Sequence, residues 1–337
     1  MEKLLRKHED IAQAQSNCVT MTVMQWNVLA DGLAQNGDFE RVPQDVLAWE
    51  RRSPQIIQEI AESKADLVCL QEVNRYEDFF RPQLERLGYT GIFWPKACSP
   101  AEQYGYPCDG CALFFRADRF HLTGPPQGQP FAVAGGLNGK QGMLLAVFRD
   151  MLAGCAVIAA TTHLKAKAGQ ANEAARQSQA KLMMDRISAA ARSISSSSAN
   201  GTSSACGPEP LVILCGDFND SPSSPACQVV RHHQLGLQCI WDDASPIQTP
   251  SNGASSPEQE PFTTWKFRSE GVSKRTIDYI WYSRDPRIRL LRRWRMPTEA
   301  DIGESGLPCK VYPSDHLSLC AELEIDSLGA PADGGQG

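Results

Sequence analysis

Several apolar runs in this chain end on side chains suited to binding a phosphate or a divalent metal. The clearest is Leu211-Val212-Ile213-Leu214-Cys215-Gly216-Asp217-Phe218-Asn219, a buried-strand pattern that runs into an acid and an amide. On an extended chain, residues two apart share a face, so Asp217 and Asn219 point the same way. A carboxylate and a carboxamide at a strand exit serve packing poorly. They serve well to hold a water, a phosphate or a metal ion.

The same construction recurs at Asn27 after Met24-Gln25-Trp26, at Gln71 and Glu72 after Leu67-Val68-Cys69-Leu70, and at His163 after Val157-Ile158-Ala159-Ala160-Thr161-Thr162. It appears again at Asp278 within Thr276-Ile277-Asp278-Tyr279, and at Asp315 and His316 after Tyr312-Pro313-Ser314. Singly, each residue has a plain structural use. Asn27 suits a turn, Glu72 a helix cap, His163 a satisfied core position, and Asp315-His316 a surface pair. Their order along one chain points instead to one site.

Phosphoester hydrolysis needs its non-bridging oxygens neutralised, a water set in line, and the leaving alkoxide stabilised. Glu72 is the expected direct Mg²⁺ ligand, because that ion keeps most of its waters and takes few hard carboxylates. Asn27 would support the ion or the leaving side, and Asp315 would be a further metal or supporting carboxylate. His163 and Asn219 would donate to phosphate oxygens. Asp217 would orient or deprotonate the attacking water. His316, with Asp278 hydrogen-bonded behind it, forms an imidazole–carboxylate pair that acts as base or as electrostatic clamp. The sequence leaves the base open between Asp217 and His316.

Four basic side chains lie near these strand ends: Lys96, Lys165, Lys167 and Arg268. They stand out in a chain of net charge −6, whose balance argues against a long polyanion as partner. Lys165 follows His163 by two residues and, were the strand to continue, would share its face.

These residues must be positioned by strands alternating with helices and interrupted by hairpins. Strands are read at 23–29, 67–70, 89–94, 111–115, 143–148, 154–162 and 211–217. Helices are read from about 44, broken by Pro54, then at 76–87 and 170–191. Residues 1–20 form a polar lead-in that is helical at most, and 327–337 a disordered tail. The segments 193–210 and 245–261 read as flexible inserts within a single 21–326 domain. The pattern predicts an α/β fold of two packed mixed sheets flanked by helices, without an internal repeat. No apolar run reaches the ~18 residues a membrane helix requires. Twelve scattered cysteines and the absence of an apolar leader point to reduced thiols in the cytoplasm, or the mitochondrion if a targeting extension precedes this sequence. Cys108 and Cys111 have C-x2-C spacing, but without a second pair they read as a loop entering a strand.

The order of the motifs resembles the endonuclease/exonuclease/phosphatase superfamily, over roughly residues 20 to 325. Within it, the chain is similar to the branch that also holds the carbon-catabolite-repressor-type deadenylases. The resemblance rests on Gln25-Trp26-Asn27-Val28-Leu29, Leu70-Gln71-Glu72-Val73, Thr162-His163-Leu164-Lys165, Gly216-Asp217-Phe218-Asn219, Thr264-Trp265-Lys266-Phe267-Arg268, Asp278-Tyr279-Ile280-Trp281 and Pro313-Ser314-Asp315-His316. It implies a four-layered α/β sandwich with two central mixed β-sheets. It also implies Mg²⁺, with Mn²⁺ as substitute, and a closed pocket where Lys96, Lys165, Lys167 and Arg268 bind NADP(H) for removal of its 2′-phosphate. Lys167 departs from the arginine expected there, keeping charge but losing the planar fork. The alternative within the superfamily is a 3′ exoribonuclease acting on poly(A) RNA. That activity would call for stacking platforms and, by analogy, a leucine-rich docking domain, which this sequence lacks. Its best basic patch, 287–295, reads as an edge strand with solvated arginines. A catalytically inactive binding scaffold would have lost part of the motif set, and here the set is intact.

Overall fold

The computed structural model describes residues 3–15, 18–132, 138–199, 209–242 and 261–326. Two seven-stranded mixed sheets stack face to face between outer helices, giving the four-layered α/β sandwich. The first sheet runs His8–Asp10, Ile288–Trp294, Leu319–Asp326, Cys18–Asn27, Leu67–Val73, Gly110–Arg116, Tyr89–Pro95. The second runs Leu237–Cys239, Asp278–Ser283, Leu211–Asp217, Cys155–His163, Asn138–Asp150, Phe120–Leu122, and Gln127–Ala132 also pairs with Asn138–Asp150. A separate ribbon joins Thr264–Arg268 to Gly271–Arg275.

Strand direction explains why the polar strand exits meet. Each sheet is built around one parallel pair, Cys18–Asn27 with Leu67–Val73 and Cys155–His163 with Leu211–Asp217. Parallel strands end side by side, so Asn27 lies opposite Gln71 and Asp217 opposite His163. Asp278 begins an antiparallel strand and falls opposite Asp217.

Alternation along the strands sets the layers. Met21, Val23, Leu67, Cys69, Ile213 and Cys215 are buried in the core that includes the space between the sheets. Met24 and Trp26 turn the other way and pack on Ile56 and Ile60 of the helix Trp49–Ser63. Burying one such side chain contributes about 1.5–3 kcal/mol. The same period of two delivers Gln25 and Asn27 to the inter-sheet face, following Met21 and Val23.

The structure corrects several local expectations. The lead-in is neither helical nor detached: His8–Asp10 is an edge strand on Ile288–Trp294, and Leu4 is buried with its N–H bonded to the Val311 carbonyl at 3.0 Å. Residues 287–295 are consequently not the sheet edge, and several of their arginines are ion-paired. Arg293 pairs with Glu9 at 2.9 Å, Arg292 with Glu322 at 2.7 Å and Arg287 with Asp285 at 2.6 Å. The long helix continues through Ala199 rather than stopping before Ser193. Its serines satisfy themselves locally, Ser195 Oγ on the Ala191 carbonyl and Ser196 Oγ on the Ser193 carbonyl. The first helical region breaks at Ala48 rather than at Pro54, which is accommodated inside Trp49–Ser63. The expected inserts at 200–208 and 245–260, and the tail 327–337, lie outside the described residues.

Gly216 shows how tightly the strand before Asp217 is held. A Cβ there would sit 2.6 Å from the Thr162 carbonyl oxygen and 2.7 Å from Thr162 Cγ2. Gly216→Ala is expected to lower stability by roughly 1–3 kcal/mol through overpacking. Urea denaturation followed by circular dichroism measures this, and an unchanged midpoint would refute the close packing.

Candidate active site

The converging strand ends build a compact polar site whose centre is Asp217, 1% exposed. Asn27 reaches across from the first sheet, and its Nδ2 donates to Asp217 Oδ2 at 3.0 Å and to Glu72 Oε1 at 3.0 Å. The Asn27 Oδ1 accepts the Leu29 N–H at 3.0 Å, which fixes the amide orientation. Asp217 Oδ1 accepts the Asn219 N–H at 2.9 Å. Asn27 therefore links the two carboxylates most exposed to the chemistry.

Glu72 is aimed by its backbone. The ladder between Leu67–Val73 and Gly110–Arg116 slips between Leu70 and Val73, and Glu72 sits at φ +57. A bulge of this kind re-aims a side chain at the cost of the pairing it interrupts. Leu29 at φ +58 and Asn219 at φ +54 are also left-handed. For Leu29 and Glu72 this conformation costs about 1–2 kcal/mol each. Asparagine tolerates it more readily. Three non-glycine left-handed residues around one carboxylate cluster mark a place where geometry has been put before stability.

Two histidines flank Asp217 in opposite protonation states. His163 Nε2 lies 3.5 Å from Asp217 Oδ2, and its Nδ1 faces Lys96 Nζ at 3.4 Å. Burial, reinforced by Lys96, pushes its pKa down to about 4 against the pull of Asp217 and Asp109. His163 is thus neutral near pH 7. Its Nδ1 accepts from the lysine, which leaves Nε2–H directed at the site. His316 donates Nδ1–H to Asp278 Oδ2 at 2.9 Å, and its Nε2 lies 3.7 Å from Asp217. Burial opposes its charge and so does Lys266, yet Asp278, Asp217 and Asp315 outweigh both and lift the pKa to about 9. Asp278 is itself held by Gln25 Nε2 at 2.9 Å and Thr263 Oγ1 at 2.6 Å.

The predicted residues do not all stand where expected. Asp315 faces the basic strand Thr264–Arg268. Its Oδ2 pairs with Lys266 at 2.7 Å and Arg268 at 3.3 Å, and although burial opposes ionisation, those cations and His316 hold the carboxyl well below its usual range. So occupied, Asp315 matches the supporting-carboxylate reading, anchoring Lys266 and Arg268. Arg268 is correspondingly committed to Asp315, to the Asp38 carbonyl at 2.7 Å and to the face of Phe39. Lys96 is buried and paired to Asp109, which Ser99 also holds; burial disfavours its charge, but Asp109 and Glu72 raise its pKa nonetheless. Lys165 lies beyond the strand, which ends at His163, so alternation does not fix its direction. Lys165 is half-buried and Lys167 exposed, and among the described residues neither ammonium has an ion-pair partner.

Several functional side chains were missed by sequence reasoning. Lys266 shares a strand face with Arg268 at a spacing of two and lies 3.2 Å from His316 Nε2, so alternation within Thr264–Arg268 would have found it. Gln25 precedes Asn27 by two and bridges the sheets to Asp278, and Gln71, read beside Glu72 at a strand exit, bridges them through Nε2 to Thr161 Oγ1 at 2.9 Å. Arg52, fully buried, donates to the carbonyls of Pro313 and Val28 at 2.6 and 2.8 Å, joining the loops that carry Asn27 and His316. Nothing in its helical surroundings announced this.

The donor set fits a hard divalent cation. Asp217, Asp278 and His316 place ligand atoms within 4.8 Å of one another. Asp278 and the His316 Nδ1 are bonded to each other at 2.9 Å. Glu72 has no ion-pair partner among the described residues and sits one amide away from Asp217. These oxygens suit Mg²⁺ or Mn²⁺ better than a soft metal.

The charged His316 contributes stability fully below an unfolded pKa near ~6.5, and loses it as pH rises through about 9. His163 acts oppositely, adding stability as pH rises from about 4 toward ~6.5. In the metal-free protein, Asp278→Asn is expected to bring the His316 pKa down toward the usual ~6.5. Imidazole NMR titration reads this directly, and an unmoved value would contradict the assignment.

The model of the Endonuclease/Exonuclease/phosphatase family matches residues 24–152 and 197–316. The chain is 34% identical over 328 residues to Nocturnin of Mus musculus, spanning 95% of this chain and 70% of that protein. The solved catalytic domain of human Nocturnin with bound sulfate superposes with a TM-score of 0.70 at 30% identity, covering 95% of this chain and 97% of that one. The fold is shared also with ANGEL2, a 2′,3′-cyclic phosphatase, at a TM-score of 0.74 and 22% identity over 95% and 98% of the two chains. The chain belongs to the endonuclease/exonuclease/phosphatase family, as a Nocturnin homologue with a phosphoesterase site.

Proposed function

We propose that the protein removes the 2′-phosphate of NADP(H), giving NAD(H) and inorganic phosphate, in a Mg²⁺-dependent hydrolysis. The observation that carries this reading is the cationic surround of the carboxylate centre. Lys96, Lys266 and Arg268 are each locked on a buried or nearly buried acid, and Lys165 and Lys167 stand on the loop leaving His163. In a chain of net charge −6, Lys165 and Lys167 are two cations beside the site with no ion-pair partner among the described residues, which suits a compact substrate with several phosphates. Four arginines of 287–295, the best candidate for a polynucleotide track, are taken up in ion pairs: Arg287, Arg289, Arg292 and Arg293.

Within that reading each side chain has a task. Glu72, with the Asp217 carboxylate beside it, would hold Mg²⁺, while Asn27 Nδ2 orients both carboxylates. That ion, when bound, neutralises the non-bridging oxygens and the leaving alkoxide. Asp217 orients the attacking water and accepts its proton. His316, held through Nδ1 by Asp278 and with Nε2 3.7 Å from Asp217, stands beside it as clamp or acid. His163 offers Nε2–H, and Asn219 offers its Nδ2, which here rests on the Leu164 carbonyl at 3.2 Å. Asp278, Thr263 and Gln25 keep the imidazole of His316 in place.

Incubation with Mg²⁺ and either NADPH or oligo(A), followed by assay of phosphate and AMP, tests the proposal. Phosphate release from NADPH is expected. Release of AMP from oligo(A) without phosphate from NADPH would overturn it in favour of the exoribonuclease. Glu72→Ala is expected to lower kcat by on the order of 10²–10³. Lys165→Ala is expected mainly to raise KM, on the order of tenfold for one charge-assisted hydrogen bond. Full activity in Glu72→Ala would remove it from the metal site.

A further inference from the structure

The long helix Gln170–Ala199 carries a guanidinium that neither catalysis nor direct substrate contact accounts for. Arg176 is 4% exposed. Its Nε donates to Asp220 Oδ2 at 2.7 Å, and its Nη1 donates to the carbonyls of Lys165 and Lys167 at 3.1 and 2.9 Å. One turn further, buried Gln179 accepts the Lys165 N–H on Oε1 at 2.9 Å. Asp220 is fixed in turn: its Oδ1 accepts the Ser221 N–H at 3.1 Å, and its carbonyl accepts the Tyr279 hydroxyl at 2.7 Å.

Arg176 thus ties two loops together, the one leaving His163 and the one carrying Asn219. The last ladder bond between them is Leu164 N–H to the Asp217 carbonyl at 2.9 Å. Beyond it, the ties among the described residues are Arg176 and the Asn219 amide on the Leu164 carbonyl. Asn219 is the side chain expected to turn toward phosphate. When it does, Arg176 is left to hold the loop. That loop needs holding, since it has left the strand, its residues 166–170 are exposed, and Lys167 is left-handed at φ +76.

We propose that Arg176 is a positioning residue for substrate affinity, presenting Lys165 and Lys167 to the phosphates without touching them itself. It bonds the carbonyls of both residues, so it sets the backbone from which their side chains depart. A guanidinium does this where an ammonium cannot, because its donors form a rigid planar fork that spans a carboxylate and two carbonyls. The proposal rests on the phosphatase reading only for its choice of substrate.

The test is a mutant cycle on the full chain with Mg²⁺. Arg176→Met is expected to raise KM for NADPH on the order of tenfold, with kcat within about twofold of wild type. Arg176→Lys should fall between. In a Lys165→Met/Lys167→Met background, Arg176→Met should add less than about twofold, because the groups it positions are gone. An unchanged KM in folded Arg176→Met, a loss confined to kcat, or a full additional rise in the double-lysine background each overturns the proposal. If Arg176→Met does not fold, as judged by circular dichroism, Arg176→Lys and Asp220→Asn carry the same KM comparison. Absence of phosphate release from NADPH by wild type would instead refute the phosphatase reading. The series is then run on oligo(A), where a KM rise that vanishes in the lysine background upholds Arg176 and an unchanged KM removes it.

Discussion

Everything in this site depends on a polar layer between two sheets. Asn27 donates from the first sheet to Asp217 in the second, Gln25 to Asp278, and Gln71 to Thr161, all in buried positions. Along each strand the inter-sheet face changes from apolar to polar within a few residues: Met21 and Val23 give way to Gln25 and Asn27, and Ile213 and Cys215 to Asp217. Hydrophobic burial brings the sheets together, while these hydrogen bonds fix where one sheet stands relative to the other. A slip of one residue in either register would turn Asn27 or Asp217 out of the site.

The electrostatics follow from that placement. Buried acids without compensation are costly, and the structure divides them into two groups. Asp109 and Asp315 are neutralised by Lys96, Lys266 and Arg268. Glu72 has no ion-pair partner among the described residues and shares the Asn27 amide with Asp217, which has the two histidines beside it; this leaves the pair suited to a divalent cation. Asp278 stands between these groups and holds His316 as a cation. The left-handed backbone at Leu29, Glu72 and Asn219 is the conformational cost of turning these groups inward.

Much of the architecture was legible from period and motif order. The apolar runs gave the central strands, and the exits of those runs gave Asn27, Glu72, His163, Asp217, Asp278 and His316. What the pattern does not encode is which neutral or oppositely charged side chain meets which. Arg268 and Asp315 read as independent site residues, yet they pair with each other, because tertiary contact and not local sequence decides the partner of a charge. Lys266 was overshadowed by Arg268 although strand alternation places both on one face. Arg52 and Arg176 sit in ordinary helical patterns, where an arginine usually means a solvated face. The edge strand His8–Asp10 is only three residues long and has no pattern of its own; pairing with Ile288–Trp294 creates it.

The central claim is that Glu72 and Asp217, linked by Asn27 across the sheets, form the cation-binding heart of the site. Anomalous diffraction from crystals soaked in Mn²⁺ measures this most directly. The account predicts a peak within coordination distance of a Glu72 carboxylate oxygen on the Asp217 side, with the Asp278–His316 hydrogen bond intact. A peak held by Asp278 and His316, with Glu72 unengaged, would contradict it.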